Sequence, residues 1–158
     1  SGEIIVRGPQ VISNYWNNPL ATAETFKQGW LYTGDIGRFD SQGNLAIVDR
    51  KKDIIISGGE NIASREVEAV ISLLDNVKQV AVVGIADQKW GERVCAMVER
   101  VDQQLAEPSK AKVISQCRDQ LAGYKSPKLV LFDRLPVNAN GKIDKQKVKC
   151  VFTYQENS

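Results

Sequence analysis

The chain has 158 residues, enough for one ordinary domain or two small pieces. It is 42% hydrophobic and 25% charged, an average composition that permits a sizeable core. A net charge of +2 gives no reason to expect a nucleic-acid or membrane-surface partner, and no apolar run approaches the length of a transmembrane segment.

The first third reads as β-rich. Residues 3–7 form a short strand stopped by Gly8 and Pro9, and residues 19–26 give one or two helical turns because Pro19 suits a first turn. Residues 30–33 and 44–48 are strand candidates, with turn chemistry at Asp40-Ser41-Gln42-Gly43 between them. The region holds Tyr15, Trp16, Trp30 and Tyr32 but has too few elements to enclose them. It is expected to pack against the following domain or against another copy of the chain. Ser1, without a methionine, runs almost directly into a strand, so the start reads as a cut end with no signal peptide.

The pattern changes at Asp49-Arg50-Lys51-Lys52, the expected boundary. Residues 53–56 read as an apolar strand stopped by Ser57-Gly58-Gly59. Ser64 is placed to cap a helix, with Glu66 and Glu68 in its first turns and Val67, Val70, Ile71 and Leu74 forming its apolar stripe. Residues 77–85 and 93–101 are β-branched strands flanking a polar loop at 87–92. Ser109 opens a second helix with Val113, Ile114, Cys117 and Leu121 inward, residues 129–132 form a strand, and residues 144–150 a last short helix. Strands and helices mix without strict alternation, so the fold class is α+β. The expected domains are 1–49, 50–150 and a tail at 151–158.

Cys95, Cys117 and Cys150 are odd in number, far apart and without metal spacing, which reads as reduced thiols in a cytoplasmic protein with no metal site. Chemistry must also proceed without histidine, because the chain has none. Lys142 follows the turn residues Asn138-Ala139-Asn140-Gly141. It is not a nucleotide-hydrolase phosphate loop: Pro136 stands where that loop needs glycine, and Ile143 where it needs Ser or Thr. Taken alone, Lys142 is a solvated turn charge or a mobile catalytic charge. Asp35 is a turn aspartate or an acceptor for vicinal hydroxyls. Gly58-Gly59 is a tight turn or a place where something thin passes the backbone.

Together these segments are more specific. "GEIIVRGPQVISNYWNNPLATAETF" (2–26), "GWLYTGDIGRFDSQGNLAIVDRKKDIIISGGENIASREVE" (29–68) and "LAGYKSPKLVLFDRLPVNANGKIDK" (121–145) resemble, in order, the carboxyl-terminal signature of adenylate-forming (AMP-binding) enzymes. These include acyl-CoA synthetases, luciferases and peptide-synthetase adenylation domains. The resemblance runs from Gly2 to about Val148. It implies a small, mobile carboxyl-terminal α+β domain, preceded by the β-rich tail of a large amino-terminal domain. The large domain, with its phosphate-gripping loop and acid pocket, is absent from this sequence and is the first expected partner. Self-association of the fragment is a further expectation.

By that resemblance, a carboxylic acid and ATP, with Mg2+ held mainly by the large domain, give an acyl-adenylate, and the thiol of CoA then displaces AMP. Lys142 is implied as the catalytic lysine of adenylation, Asp35 and Arg50 as nucleotide-binding residues, Lys52 as the hinge, and Ser57, Gly58 and Gly59 as the loop approaching the CoA arm. The isolated fragment is expected to be inactive. The sequence "YKSPK" resembles acyl- or aryl-CoA synthetases more than peptide-synthetase domains. Two other readings stay open: an adenylation domain loading a carrier-protein thiol, and a stand-alone binding module. Ala63-Ser64 and the Ile143-Asp144-Lys145 continuation depart from the commoner family pattern and leave the acid open.

Overall fold

A computed structural model describes residues 1–102 and 108–156. The chain divides into two compact units, Ser1–Lys52 and Asp53–Ser158.

The first unit is built on strand β3 (Trp30–Phe39). β1 (Gly2–Val6), the short β2 (Phe26–Lys27) and β4 (Leu45–Arg50) all pair with it in antiparallel fashion. The sequence expectation ended β3 at residue 33, before Gly34-Asp35. The strand continues because β1 and β4 hydrogen-bond along it, and Gly34 takes the bend at φ 73°. Helix α1 (Pro19–Thr25) starts as expected from Pro19, and the Asn18 Oδ1 atom accepts from the Ala21 amide at 3.1 Å. The Asp40 carboxylate closes the β3–β4 turn by accepting from the Gln42 and Asn44 amides, each at 2.8 Å. Little of this unit is buried: Trp16 is 92% exposed, and Phe39, Leu45 and Ile47 are exposed.

A 3-10 turn at Lys51–Asp53 spans the boundary, and the second unit continues into β5 (Ile55–Ser57) and β6 (Glu60–Ile62). Asp53 therefore lies in the turn and not in a strand, and β6 was not anticipated because three residues are too few to show alternation. Helix α2 (Ser64–Ile71), β7 (Val77–Asp87), β8 (Gly91–Arg100), α3 (Lys110–Gln120), β9 (Leu129–Phe132) and α4 (Lys145–Glu156) complete the unit. The sheet order is β6-β5-β8-β7, with β9 parallel to β8.

The β7–β8 hairpin is covered on both sides, which is why it reads as nearly continuous apolar sequence. Val80, Val82, Val94, Ala96 and Val98 pack with Val67 and Ile71 of α2 and Val113 and Cys117 of α3. The alternate residues Ala81, Val83, Ile85, Cys95 and Met97 pack with Val148 and Phe152 of α4. The polar loop expected at 87–92 shrinks, since β7 reaches Asp87 and β8 begins at Gly91.

Two helix ends differ from expectation. The cap position of α2 is Ala63, without a side-chain cap bond, and Ser64 lies inside the helix. The buried Ser64 hydroxyl instead accepts from Lys145 Nζ at 2.6 Å, a charged donor stronger than a backbone amide. Residues 151–156, read as tail, continue α4 and contribute the buried Phe152. The rest of that tail, residues 157–158, lies outside the described residues. Ser109 caps α3 as expected, accepting from the Lys112 amide at 3.1 Å.

Candidate functional site

In the first unit the β3–β4 ladder sets Asp35 directly opposite Arg50. Arg50 Nε lies 2.9 Å from Asp35 Oδ1, with 49% of the arginine and 28% of the aspartate side chain exposed. The pair is anchored from behind. The Asp35 amide donates to Thr33 Oγ1 at 3.1 Å, and that hydroxyl donates to the Ile4 carbonyl at 2.8 Å. The Gly34 amide donates to Glu3 Oε1 at 3.2 Å, while Lys51 Nζ holds Glu3 Oε2 at 2.8 Å. The Lys51 hydrogen bond depresses the Glu3 carboxyl below the usual glutamate range. Asp49, which the sequence marked only as a boundary, is buried, and its Oδ1 accepts from the Arg50 amide at 2.8 Å. A half-buried, oriented carboxylate is thus braced by a cation, an arrangement fit for hydrogen-bonding hydroxyl groups. Lys52 is exposed at the last position of this unit, inside the 3-10 turn.

In the second unit, Ser57 and Glu60 flank the two-residue β5–β6 turn. Gly58 has φ 61° and Gly59 φ 83°, the left-handed pair that such a turn requires. The glycines differ in surroundings. A Cβ on Gly58 would stand 3.1 Å from Trp90 Cε3, and the Gly58 amide donates to the Trp90 carbonyl at 2.8 Å. A Cβ on Gly59 would meet nothing within 4 Å. Backbone conformation, and not crowding within the unit, therefore constrains Gly59.

Lys142 sits at the end of a closed turn. The Asn138 amide donates to the Lys142 carbonyl at 2.8 Å, and Asn138 Oδ1 accepts from the Asn140 and Lys142 amides at 2.9 and 3.0 Å. Gly141 takes φ 73°. Val137 bridges to Ile143, and Ile143 packs on the core beneath. The backbone is fixed while the Lys142 side chain is exposed, and its ammonium has no partner among the described residues.

The structure brings Asp35 to Arg50 and sets Ser57, Gly58 and Gly59 on one turn; Lys142 stands on a separate turn of the second unit. Sequence reading missed three contributors. Trp90, packed on Gly58 with Lys89 Nζ 4.9 Å from its ring, was signalled only by a large aromatic in a polar loop. Lys145, which nothing local in the sequence distinguishes from a surface charge, is 2.7 Å from Glu68. Glu92 was read as a loop residue, yet Glu92 Oε2 accepts from the Ile56 amide at 2.8 Å. Among the described residues no group of three or more His, Cys, Asp or Glu could hold a metal, and no helix is long and apolar enough to cross a membrane.

Residues 66–142 match the AMP-binding enzyme C-terminal domain. A long-chain-fatty-acid–CoA ligase of Mycobacterium tuberculosis is 46% identical over 143 residues, covering 90% of this chain and 28% of that protein. The peroxisomal butyrate–CoA ligase of Arabidopsis thaliana is 45% identical over 151 residues, covering 94% of this chain and 26% of that protein. The solved structure of the amide bond synthetase of Marinactinospora thermotolerans superposes with a TM-score of 0.86 at 42% identity, covering 96% of this chain and 31% of that one. The chain belongs to the adenylate-forming, AMP-binding enzyme family, and spans less than a third of the length of these relatives.

Proposed function

We propose that the chain is the carboxyl-terminal part of an ATP-dependent acid–CoA ligase, acting with a large amino-terminal domain that supplies the acid pocket and most phosphate contacts. Supporting the CoA reading, the two curated relatives above are named as acid–CoA ligases. In the first half-reaction a substrate carboxylate oxygen bonds to the α-phosphorus of ATP and the bond to the pyrophosphate oxygen breaks. In the second, a thiol sulfur bonds to the acyl carbon, AMP leaves, and the thiol proton passes to solvent or phosphate.

The observation that carries the reading is the Lys142 turn, a hydrogen-bonded backbone presenting an exposed ammonium without a partner among the described residues. An unpaired cation is free to meet the charge that builds on the non-bridging phosphate oxygens. At ~4 Å such a pair is worth about 4 kcal/mol at an effective dielectric near ~20, so its loss would cost ~10²-fold or more. No histidine is needed, because a carboxylate attacks without a general base. Asp35, held by Arg50, accepts hydrogen bonds from the ribose hydroxyls. Lys52 is the hinge about which the second unit turns between half-reactions. Ser57, Gly58 and Gly59 then approach the thiol-bearing arm. Mg2+ travels with ATP, and its protein ligands are assigned to the large domain. The unpaired cysteines fit a reducing, cytoplasmic setting.

ATP–pyrophosphate exchange over a panel of carboxylic acids tests this reading. It compares the chain with an amino-terminally extended parent, each with and without Lys142→Ala. Exchange by the parent alone, lost with Lys142→Ala, is expected and would identify the acid class. Exchange by the chain alone, or exchange indifferent to Lys142, overturns the proposal.

A further inference from the structure

We propose that Glu92 is the positioning residue of the Gly58-Gly59 turn, and that Gly84 provides the space through which its carboxylate reaches the turn. The functional half of this inference rests on the reading that the turn serves thiol transfer. Ser57 and Glu60 flank a two-residue turn, so their neighbour Ile56 forms a non-hydrogen-bonded pair with Asn61 and its amide points away from β6. An amide so placed is open to water or to a partner on its other side. β5 meets β8 at only one register pair, Ser57 opposite Gly91, so the ladder does not supply one. Glu92 Oε2 does, at 2.8 Å. Together with the bond from the Gly58 amide to the Trp90 carbonyl, this pins both sides of Ser57 to the tip of the β7–β8 hairpin.

Glu92 lies opposite Ala86, and its side chain passes diagonally over Gly84. A Cβ at Gly84 would stand 2.7 Å from Glu92 Cδ and 2.8 Å from each carboxylate oxygen. Gly84 is not among the positive-φ glycines, so its backbone admits any residue. The missing side chain, and not conformational freedom, is what this position uses. An alanine there would push the Glu92 carboxylate off the Ile56 amide without altering Glu92 itself.

The test has two arms. In this chain, amide hydrogen exchange is followed at Ile56 and Gly58. Glu92→Ala and Gly84→Ala are each expected to speed exchange at both amides by about tenfold or more, while Glu92→Gln, which keeps a carbonyl acceptor, retains most of the protection. The double variant Gly84→Ala with Glu92→Ala, free of the clash, is expected to match Glu92→Ala and confirms that the unit still folds. In the extended parent, acyl transfer to CoA is expected to fall about tenfold further than ATP–pyrophosphate exchange in Glu92→Ala and Gly84→Ala, and to recover in Glu92→Gln. Unchanged exchange at Ile56, or an equal fall in both half-reactions, overturns the positioning role. A wild-type parent that never forms a thioester overturns the functional reading of the turn, while the amide arm still decides whether Glu92 holds it.

Discussion

Lys145 Nζ stands 2.7 Å from Glu68 Oε1 and 2.6 Å from Ser64 Oγ, tying the first residue of α4 to the start of α2. Glu68 Oε1 also accepts from the Val82 amide at 2.9 Å, so one carboxylate joins two helices and the central hairpin. Each side chain of the pair is only 18% exposed. Removing one partner leaves the other charge partly desolvated. Lys145→Met is expected to cost about 1–3 kcal/mol, read as a lower midpoint of denaturant unfolding at unchanged slope. A shift indistinguishable from that of the exposed Lys112→Met would show that the pair contributes nothing.

The two glycines of the β5–β6 turn should respond differently. Gly59→Asn puts a tolerant residue into open space and is expected to cost well under ~1 kcal/mol. Gly58→Ala adds contact with the Trp90 ring to the same backbone strain and should cost more. Trp90→Ala should then relieve part of the Gly58→Ala penalty. A double-mutant cycle with no coupling would refute the contact.

Acid should weaken the anchor below the Lys142 turn. Glu99 accepts from Lys78 Nζ at 2.6 Å and from the Leu135 amide at 2.9 Å, and first the Lys78 bond, then the Leu135 bond, hold its carboxyl below the usual glutamate range. A depressed carboxyl pKa means that the unfolded chain binds the proton more readily. The stabilisation is therefore complete above about pH 4.3, the unfolded value, and is lost as pH falls through the lower folded value. Glu99→Gln should flatten the acid limb of the stability profile, and wild type and variant should converge at the lowest pH. Parallel profiles would exclude the linkage.

Thiol chemistry should be confined to one cysteine. Burial pushes Cys95 and Cys117 up to about 11, while Cys150 is exposed on α4. Near pH 8 a thiol reagent is expected to modify only Cys150 in the native protein and all three cysteines after denaturation. Cys150→Ser should abolish the native reaction. Rapid labelling of Cys117 would mean that α3 opens readily.

Much of the second unit was legible because its apolar periodicity is strong. The β9 strand was placed at its observed bounds, and Ser109 announced α3 by the side-chain bond it makes. The turn around Lys142 followed from its Asn and Gly residues. What sequence could not show were groups whose partners lie far along the chain. Lys145 reaches Ser64, Lys125 reaches Glu66, and Glu92 reaches Ile56. Lys145, Lys125 and Glu92 look like surface charges until the fold supplies the partner. The length of β3 was missed for a related reason: neighbouring strands, and not its own Gly34-Asp35, decide where it ends.

Every residue assigned a chemical part here precedes α4, yet that 12-residue helix supplies Val148 and Phe152, both fully buried against Ala81, Val83 and Met97. A stop codon just after Lys142 would therefore keep every one of those residues and leave one face of the central hairpin without its helix. Burial of two such side chains is worth about 3–6 kcal/mol, comparable with the whole stability of a small domain. The shortened product would be a client for chaperones and proteases before it could be tested as a catalyst. Inherited lesions in this last helix should consequently register as lost protein abundance, with the specific activity of any surviving molecules unchanged.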